Sequence, residues 1–249
     1  MKTKNLFIML LFLSVTQIWA QDKYSVRIPL IGENAPSFVA NSTNGEISFP
    51  SDYGSNWKIL FSHPRDFTPV CSSELLELAY HQKEFDEMGV KLVVVSTDTL
   101  YQHVAWKKAL EDINYKNRDK IKIKFPLVDD QNCSIAKKYG MLHPPVSTTT
   151  DVRGVYIIDP KNKIQAIFFY PLNIGRSFEE IKRTVVALQS TYKNKLITPA
   201  DWKLGDDFMI PYLNNKEEKS LENNNPEIYQ LTWFMTFQKD KGIGVRKIN

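Results

Sequence analysis

The sequence predicts an α/β sandwich built on a mixed sheet, followed by a small C-terminal domain. Three observations carry this. Between residues 57 and 192, short apolar runs alternate with segments whose apolar residues recur every three or four positions. One run, Val90–Ser96, is rich in β-branched residues, as a strand buried on both faces requires. From about Thr191 the texture changes, and a polar stretch rich in Asn, Glu and Lys follows.

The elements follow in order. Asp22–Asn56 is a lead-in in which Gly32 and Pro36 mark loop or edge, and Asn41–Gly45 turns between short strands. Trp57–Ser62 is the first buried strand. Ser72–Gly89 is a helix with Leu75, Leu78, Ala79, Phe85 and Met88 on one face and Gly89 as its stop. Val90–Ser96 is a strand, and Thr97-Asp98 is the expected cap of a helix over Thr99–Asp112. Lys116–Lys122 is a basic loop, Ile123–Val128 a strand, and Asp129–Asn132 turns into a helix ending at Gly140. Thr148–Asp159 and Lys163–Tyr170 pair across the turn Asp159-Pro160-Lys161-Asn162. Ser177 caps a helix with Phe178, Ile181, Val185, Leu188 and Tyr192 on one face. Beyond it, Asn214–Pro226 reads as a polar link, Tyr229–Phe237 as one strand, and Lys239–Asn249 as a frayed end. The expected divisions are a leader over 1–20, a main domain over 21–190 and a C-terminal domain over 191–249.

Composition narrows the function. With 43% apolar and 24% charged residues the chain has the make-up of a soluble globule. The formal charge is +4. Lys2 and Lys4 belong to the leader, and without them 30 basic residues face 28 acidic ones. That balance gives no footing for nucleic acid or an acidic membrane surface. Lys2 and Lys4 precede an apolar run, Leu6–Val15, and a small residue at Ala20 suits cleavage before Gln21. Export to a periplasm or the outside is therefore expected, with an uncleaved anchor as the alternative. The apolar run is short for a membrane span.

The chemistry concentrates in His63-Pro64-Arg65-Asp66-Phe67-Thr68-Pro69-Val70-Cys71-Ser72-Ser73-Glu74-Leu75. The chain leaves a strand, turns through two prolines and presents a cysteine in the first turn of a helix. The positive end of the helix dipole and its free N–H groups favour a thiolate, the reactive form. The one other cysteine is Cys133. His81, His103 and His143 have no ligand spacing with the cysteines, so neither a metal site nor a cofactor is expected.

This stretch resembles the peroxiredoxins, whose Pro-x-x-x-Thr-x-x-Cys signature is matched by Pro64, Thr68 and Cys71, and it is most similar to the 1-Cys subfamily. The similarity extends over roughly residues 28 to 212. It implies a thioredoxin-like fold with the family's insertions. It also implies a thiol-dependent peroxidase that reduces hydrogen peroxide and organic hydroperoxides in antioxidant defence. By the same resemblance Cys71 becomes a sulfenic acid and is recycled by an external thiol, because no cysteine follows Cys133. Thr68 would bond the peroxide, Pro64 wall the pocket and Arg153 supply the cation. Glu74 and Arg176 would pair beside them, with His63 near the sulfur. The family also implies a homodimer in which the C-terminal arm crosses the partner. Trp202, Phe208, Met209, Tyr212, Tyr229, Trp233 and Phe234 are the large groups there that need burial. A lipase function known in some 1-Cys members is not expected, because Asn56 and Pro50 stand where its serine and histidine would be. Three other readings stay open: a thiol–disulfide oxidoreductase, disfavoured because Glu74 interrupts a Cys-x-x-Cys; a holdase chaperone; and an exported domain with a structural Cys71–Cys133 disulfide.

Overall fold

Ten strands and four α-helices are named in a computed structural model that describes residues 26–192, 194, 196–211 and 225–242. The expected leader, Tyr212, most of the polar link and residues 243–249 lie outside the described residues. In chain order the strands are β1 (Phe38–Ser42), β2 (Gly45–Phe49), β3 (Trp57–Ser62), β4 (Val90–Ser96), β5 (Leu127–Asp129), β6 (Arg153–Ile158) and β7 (Ile164–Tyr170). The short strands β8 (Phe208–Met209), β9 (Ile228–Thr232) and β10 (Met235–Gln238) follow. The helices are α1 (Pro69–Glu87), α2 (Leu100–Leu110), α3 (Ser134–Lys138) and α4 (Phe178–Tyr192).

The large sheet has the order β2-β1-β5-β4-β3-β6-β7. Its centre, β3, β4 and β5, is parallel, and β6, β7, β1 and β2 run antiparallel to their neighbours. The period-two alternation of strands divides the core into two layers. Ile59, Phe61, Leu92, Val94, Val155 and Ile157 pack under α1 and α4. Leu60, Val93, Val95, Tyr156 and Ile158 face the opposite layer, which holds Phe38, Phe49 and the α3 residues Ile135 and Ala136.

Local competition for backbone groups accounts for where the structure departs from the sequence reading. α1 begins at Pro69 rather than Ser72, since proline is well placed where a helix has orphan N–H groups anyway. It ends as expected: Gly89 has φ 69°, which only a residue without Cβ adopts freely. The cap of α2 is Thr99, not Thr97-Asp98: Thr99 and Gln102 close a reciprocal capping box. Asp98 is instead buried and accepts from Ser96 Oγ at 2.7 Å. The strand expected over Ile123–Val128 shrinks to Leu127–Asp129, because the Ile123 and Lys124 N–H groups are taken by Glu111 and Gln82 and Pro126 has none. Likewise the 148–152 segment stays out of β6, with the Thr149 and Thr150 N–H groups bonded to Ser147 Oγ. Tyr229–Phe237 is not one strand but a hairpin, β9 and β10, turning at Trp233 and Phe234. Trp202 and Phe208, expected to need a second subunit, are buried by their own chain against Ala187 of α4.

Thr99→Ala should lower stability by about 1 kcal/mol through loss of the cap, and Thr97→Ala should cost much less. Urea unfolding of the two variants against the parent distinguishes the two cap assignments.

Candidate active site

Cys71 is the third residue of α1 and is 1% exposed. Thr68 occupies the N-cap position with extended backbone, and its carbonyl accepts from Ser72 N at 2.9 Å, closing the first turn. Its hydroxyl does not cap; it donates back to Arg65 O at 2.9 Å. Pro69 has no N–H, so the Val70 and Cys71 N–H groups face out of the helix end without an intrahelical acceptor. Immediately before, Phe67 sits at φ 55°, a left-handed conformation that costs a non-glycine residue about 1 kcal/mol or more. Pro64 is buried in the same loop.

Strand parity delivers the cation. Val155 lies opposite Phe61 on β3, and Arg153 shares the face of Val155 and Ile157, which is the α1 face. Its guanidinium Nη1 stands 3.2 Å from Cys71 Sγ and donates to Glu74 Oε2 at 2.8 Å. Nε and Nη2 are held by the Leu172 carbonyl at 3.1 and 2.6 Å. Glu74, one helical turn after Cys71, also binds Arg176, with Nε on Oε1 at 2.9 Å and Nη2 on Oε2 at 2.7 Å. Arg176 Nη1 donates to Ser62 O and Gly154 O. Burial by itself would push the Glu74 carboxyl up; Arg176 and then Arg153 outweigh it and hold it below the usual glutamate value. Two guanidiniums and one carboxylate leave one positive charge in a buried site. A thiolate at Cys71 brings the sum to zero.

His63 does not bond the sulfur. Its Nε2 donates to Asp66 Oδ1 at 2.8 Å, and Asp66 Oδ2 accepts from His103 Nδ1 at 2.8 Å. Asp66 N in turn donates to Asp98 Oδ2 at 2.8 Å. His63, Asp66 and Asp98 offer ligand atoms within 4.8 Å of one another. Asp66 Oδ1 and Oδ2 face the two imidazoles, and Asp98 Oδ2 takes the Asp66 N–H and the Ser96 hydroxyl. Asp66, His103 and the Leu172 carbonyl escaped the sequence reading. His103 lies with Trp106 and Leu110 on the buried three/four stripe of α2, a pattern that marks it for the core and not for a polar cluster.

Cys133 lies in different surroundings. It packs against the opposite core layer, so the sheet stands between it and Cys71, and both thiols are free. Burial, then Asp130 and Asp151, push its thiol above the usual cysteine value.

The sequence profile of the AhpC/TSA family matches residues 31–167, more than half of the chain. This chain belongs to the AhpC/TSA family, the peroxiredoxins. A peroxiredoxin of Methanosarcina mazei is 47% identical over 218 residues, covering 86% of this chain and 99% of that one. Peroxiredoxin-6 of Bos taurus is 41% identical over 77% of this chain and 88% of its own. Among solved structures, a yeast mitochondrial 1-Cys peroxiredoxin is similar with a TM-score of 0.75 at 33% identity, over 86% of this chain and all of that one. Peroxiredoxin 6 of Arenicola marina matches with a TM-score of 0.75 at 33% identity, over 85% and 98% of the two chains. The fold is the peroxiredoxin form of the thioredoxin-like fold, and the protein is a thiol-dependent peroxidase, an oxidoreductase that works through a cysteine.

Glu74→Gln should destabilise the fold by about 3–5 kcal/mol, because it leaves two buried guanidiniums without a carboxylate. Since the folded Glu74 carboxyl lies below its usual 4.5, its contribution is present above that pH and is lost as pH falls through the depressed value. The stability gap between parent and variant, followed by urea unfolding, should therefore close on acidification.

Proposed function

We propose that Cys71 is the peroxidatic cysteine and that the protein is a 1-Cys peroxidase recycled by an external thiol. The observation that carries this is the 3.2 Å contact between Arg153 Nη1 and Cys71 Sγ, in a site whose charges balance when the sulfur is ionised. The thiolate attacks the hydroxyl oxygen of a hydroperoxide. An S–O bond forms, the O–O bond breaks, and the electron pair leaves on the other oxygen, which takes a proton to become water or an alcohol. Arg153 and the free Val70 and Cys71 N–H groups stabilise that leaving charge. Thr68 and buried Pro64 shape the mouth, and Glu74 and Arg176 hold Arg153 in place.

The sulfenic acid left on Cys71 condenses with an external thiol, releasing water, and a second thiol restores the cysteine. Cys133 is a poor internal partner, because it lies across the sheet and its thiol is pushed toward the neutral form. Glu74 stands where a Cys-x-x-Cys oxidoreductase would need its second cysteine and is committed to two arginines.

A homodimer, or a multiple of it, is part of the proposal. Leu231, Trp233 and Phe234 of the C-terminal hairpin are 67%, 64% and 57% exposed, and a second copy would bury them. Export rests on the leader pattern, Lys2 to Ala20.

Cys71→Ser should abolish peroxide reduction while Cys133→Ser retains most of it, measured in steady-state turnover with a small thiol; equal loss in both overturns the 1-Cys reading. Arg153→Met should slow the second-order reaction with hydrogen peroxide by about 10²–10³-fold in stopped flow, the scale for removing one donor to a developing oxyanion. Light scattering at micromolar concentration should give at least twice the mass of one chain, and Trp233→Lys should lower it.

A further inference from the structure

β3 and β6 pair regularly as far as Phe61 opposite Val155. Beyond that pair the ladder gives way to side chains. Arg176 Nη1 donates to the carbonyls of Ser62 and Gly154, at 2.8 and 2.9 Å. The Ser62 hydroxyl then takes the place of a ladder partner. Its oxygen accepts the Gly154 N–H at 2.9 Å, and its proton goes to the Val152 carbonyl at 2.7 Å. Gly154 N also lies 3.0 Å from Val152 O. A bond between a residue and the second one along closes a three-residue turn, and the central residue here is Arg153. One hydroxyl thus holds both ends of the tight turn that carries the buried cation beside Cys71.

The residue types suit this arrangement. A hydroxyl offers one donor and free lone pairs, which a bridge between an N–H and a carbonyl requires. Ser62 is completely buried, so water does not compete for it, and in such surroundings a hydrogen bond is electrostatically stronger. Alternation along β3 puts Ser62 on the face of Leu60, away from the α1 face where Arg153 meets the sulfur. The serine therefore grips the Arg153 backbone from the far side of the sheet. Gly154 leaves it room: a Cβ there would stand 2.9 Å from Ser62 Oγ and 3.3 Å from the Phe169 ring. Gly154 is absent from the residues with positive φ, so glycine serves here for space and not for conformation.

We propose that Ser62 is a positioning residue for Arg153: by bridging the Val152 carbonyl and the Gly154 N–H, it fixes the backbone turn from which the guanidinium reaches Cys71. The tip of the arginine is held separately, by Glu74 and the Leu172 carbonyl. Those partners set the orientation of the guanidinium, and the serine sets where the side chain starts. With the tip held and the start released, the turn at Arg153 relaxes toward extended strand, and Nη1 leaves the 3.2 Å contact it makes with Sγ. The inference rests on the reading of Cys71 as the peroxidatic cysteine and of Arg153 as its cation.

The test is a double-mutant cycle on the full chain, read as the second-order rate with hydrogen peroxide in stopped flow. Ser62→Ala should slow the parent by about 10–10²-fold, the scale for a misplaced group. In the Arg153→Met background the same change should leave the already slower rate within about twofold, because the serine then has no cation to place. An unchanged rate in folded Ser62→Ala overturns the proposal. So does an equal loss in both backgrounds, which is the mark of general loosening. Amide hydrogen exchange on the unmodified protein tests the bridge without any variant: the Gly154 amide should be protected like those at the centre of β3. Exchange as fast as in exposed loops overturns it. Failure of the peroxidase reading shows separately: Arg153→Met would itself keep the parental rate, and intact-mass analysis after one equivalent of peroxide would find no oxygen on Cys71.

Discussion

Two arginine side chains cannot be buried a few ångströms apart unless something negative stands between them. Glu74 is that group, and the site is arranged around it. Its two oxygens accept from Arg153 and Arg176, and those arginines in turn bind the carbonyls of Leu172, Ser62 and Gly154. One carboxylate on α1 thus ties together the end of β3, the start of β6 and the segment after β7. Burial of this kind contributes little net stability, because desolvation offsets the Coulomb attraction. What it achieves is placement. Arg153 is held by fixed partners on every side except the one that faces the sulfur, so it presents a charge to Cys71 without having to reorganise.

The sheet explains why those partners meet. β3 and β4 are parallel and end at the same edge, where their following loops supply His63, Asp66 and Asp98. β6 runs antiparallel beside β3, so its beginning, at Arg153, lies at that same edge. A buried cation can then reach Cys71 from a sequence-distant segment with no long connection. Alternation along β6 sends Arg153 to the α1 face and its neighbour Gly154 toward Ser62, whose hydroxyl accepts the Gly154 N–H at 2.9 Å.

Much of this was legible in the sequence. The buried strands at 57–62 and 90–96 read as continuous apolar runs, and the helices expected over Ser72–Gly89 and after Ser177 read from apolar residues three and four apart. The segment from His63 to Leu75 carries its chemistry in residue types and order. What was not legible depended on side chains competing for backbone donors. Glu111 and Gln82 take the Ile123 and Lys124 N–H groups, so that only Leu127 and Val128 of an expected strand remain, and Gln102 draws the cap from Thr97-Asp98 to Thr99. The same holds at the site. Nothing in Leu172 announces that its carbonyl will anchor an arginine, and Asp66 looked like one more polar residue in a turn. His103 was hidden by its surroundings, since a histidine on an apolar helix face reads as core until its partners are known. The hairpin at 228–238 was missed because its turn is made of Trp233 and Phe234, residues that normally continue a strand.

The separation of the two cysteines has a temporal meaning. An enzyme whose thiols meet across one pocket can discharge its own oxidised state at a rate fixed by the fold. Here the packed sheet stands between Cys71 and Cys133, and both thiols are free. On the 1-Cys reading, the lifetime of oxidised Cys71 is then a bimolecular quantity, set by how often a reducing thiol arrives. The fraction of oxidised chains records the ratio of peroxide to reductant in the surrounding compartment, and the fold itself supplies no reset.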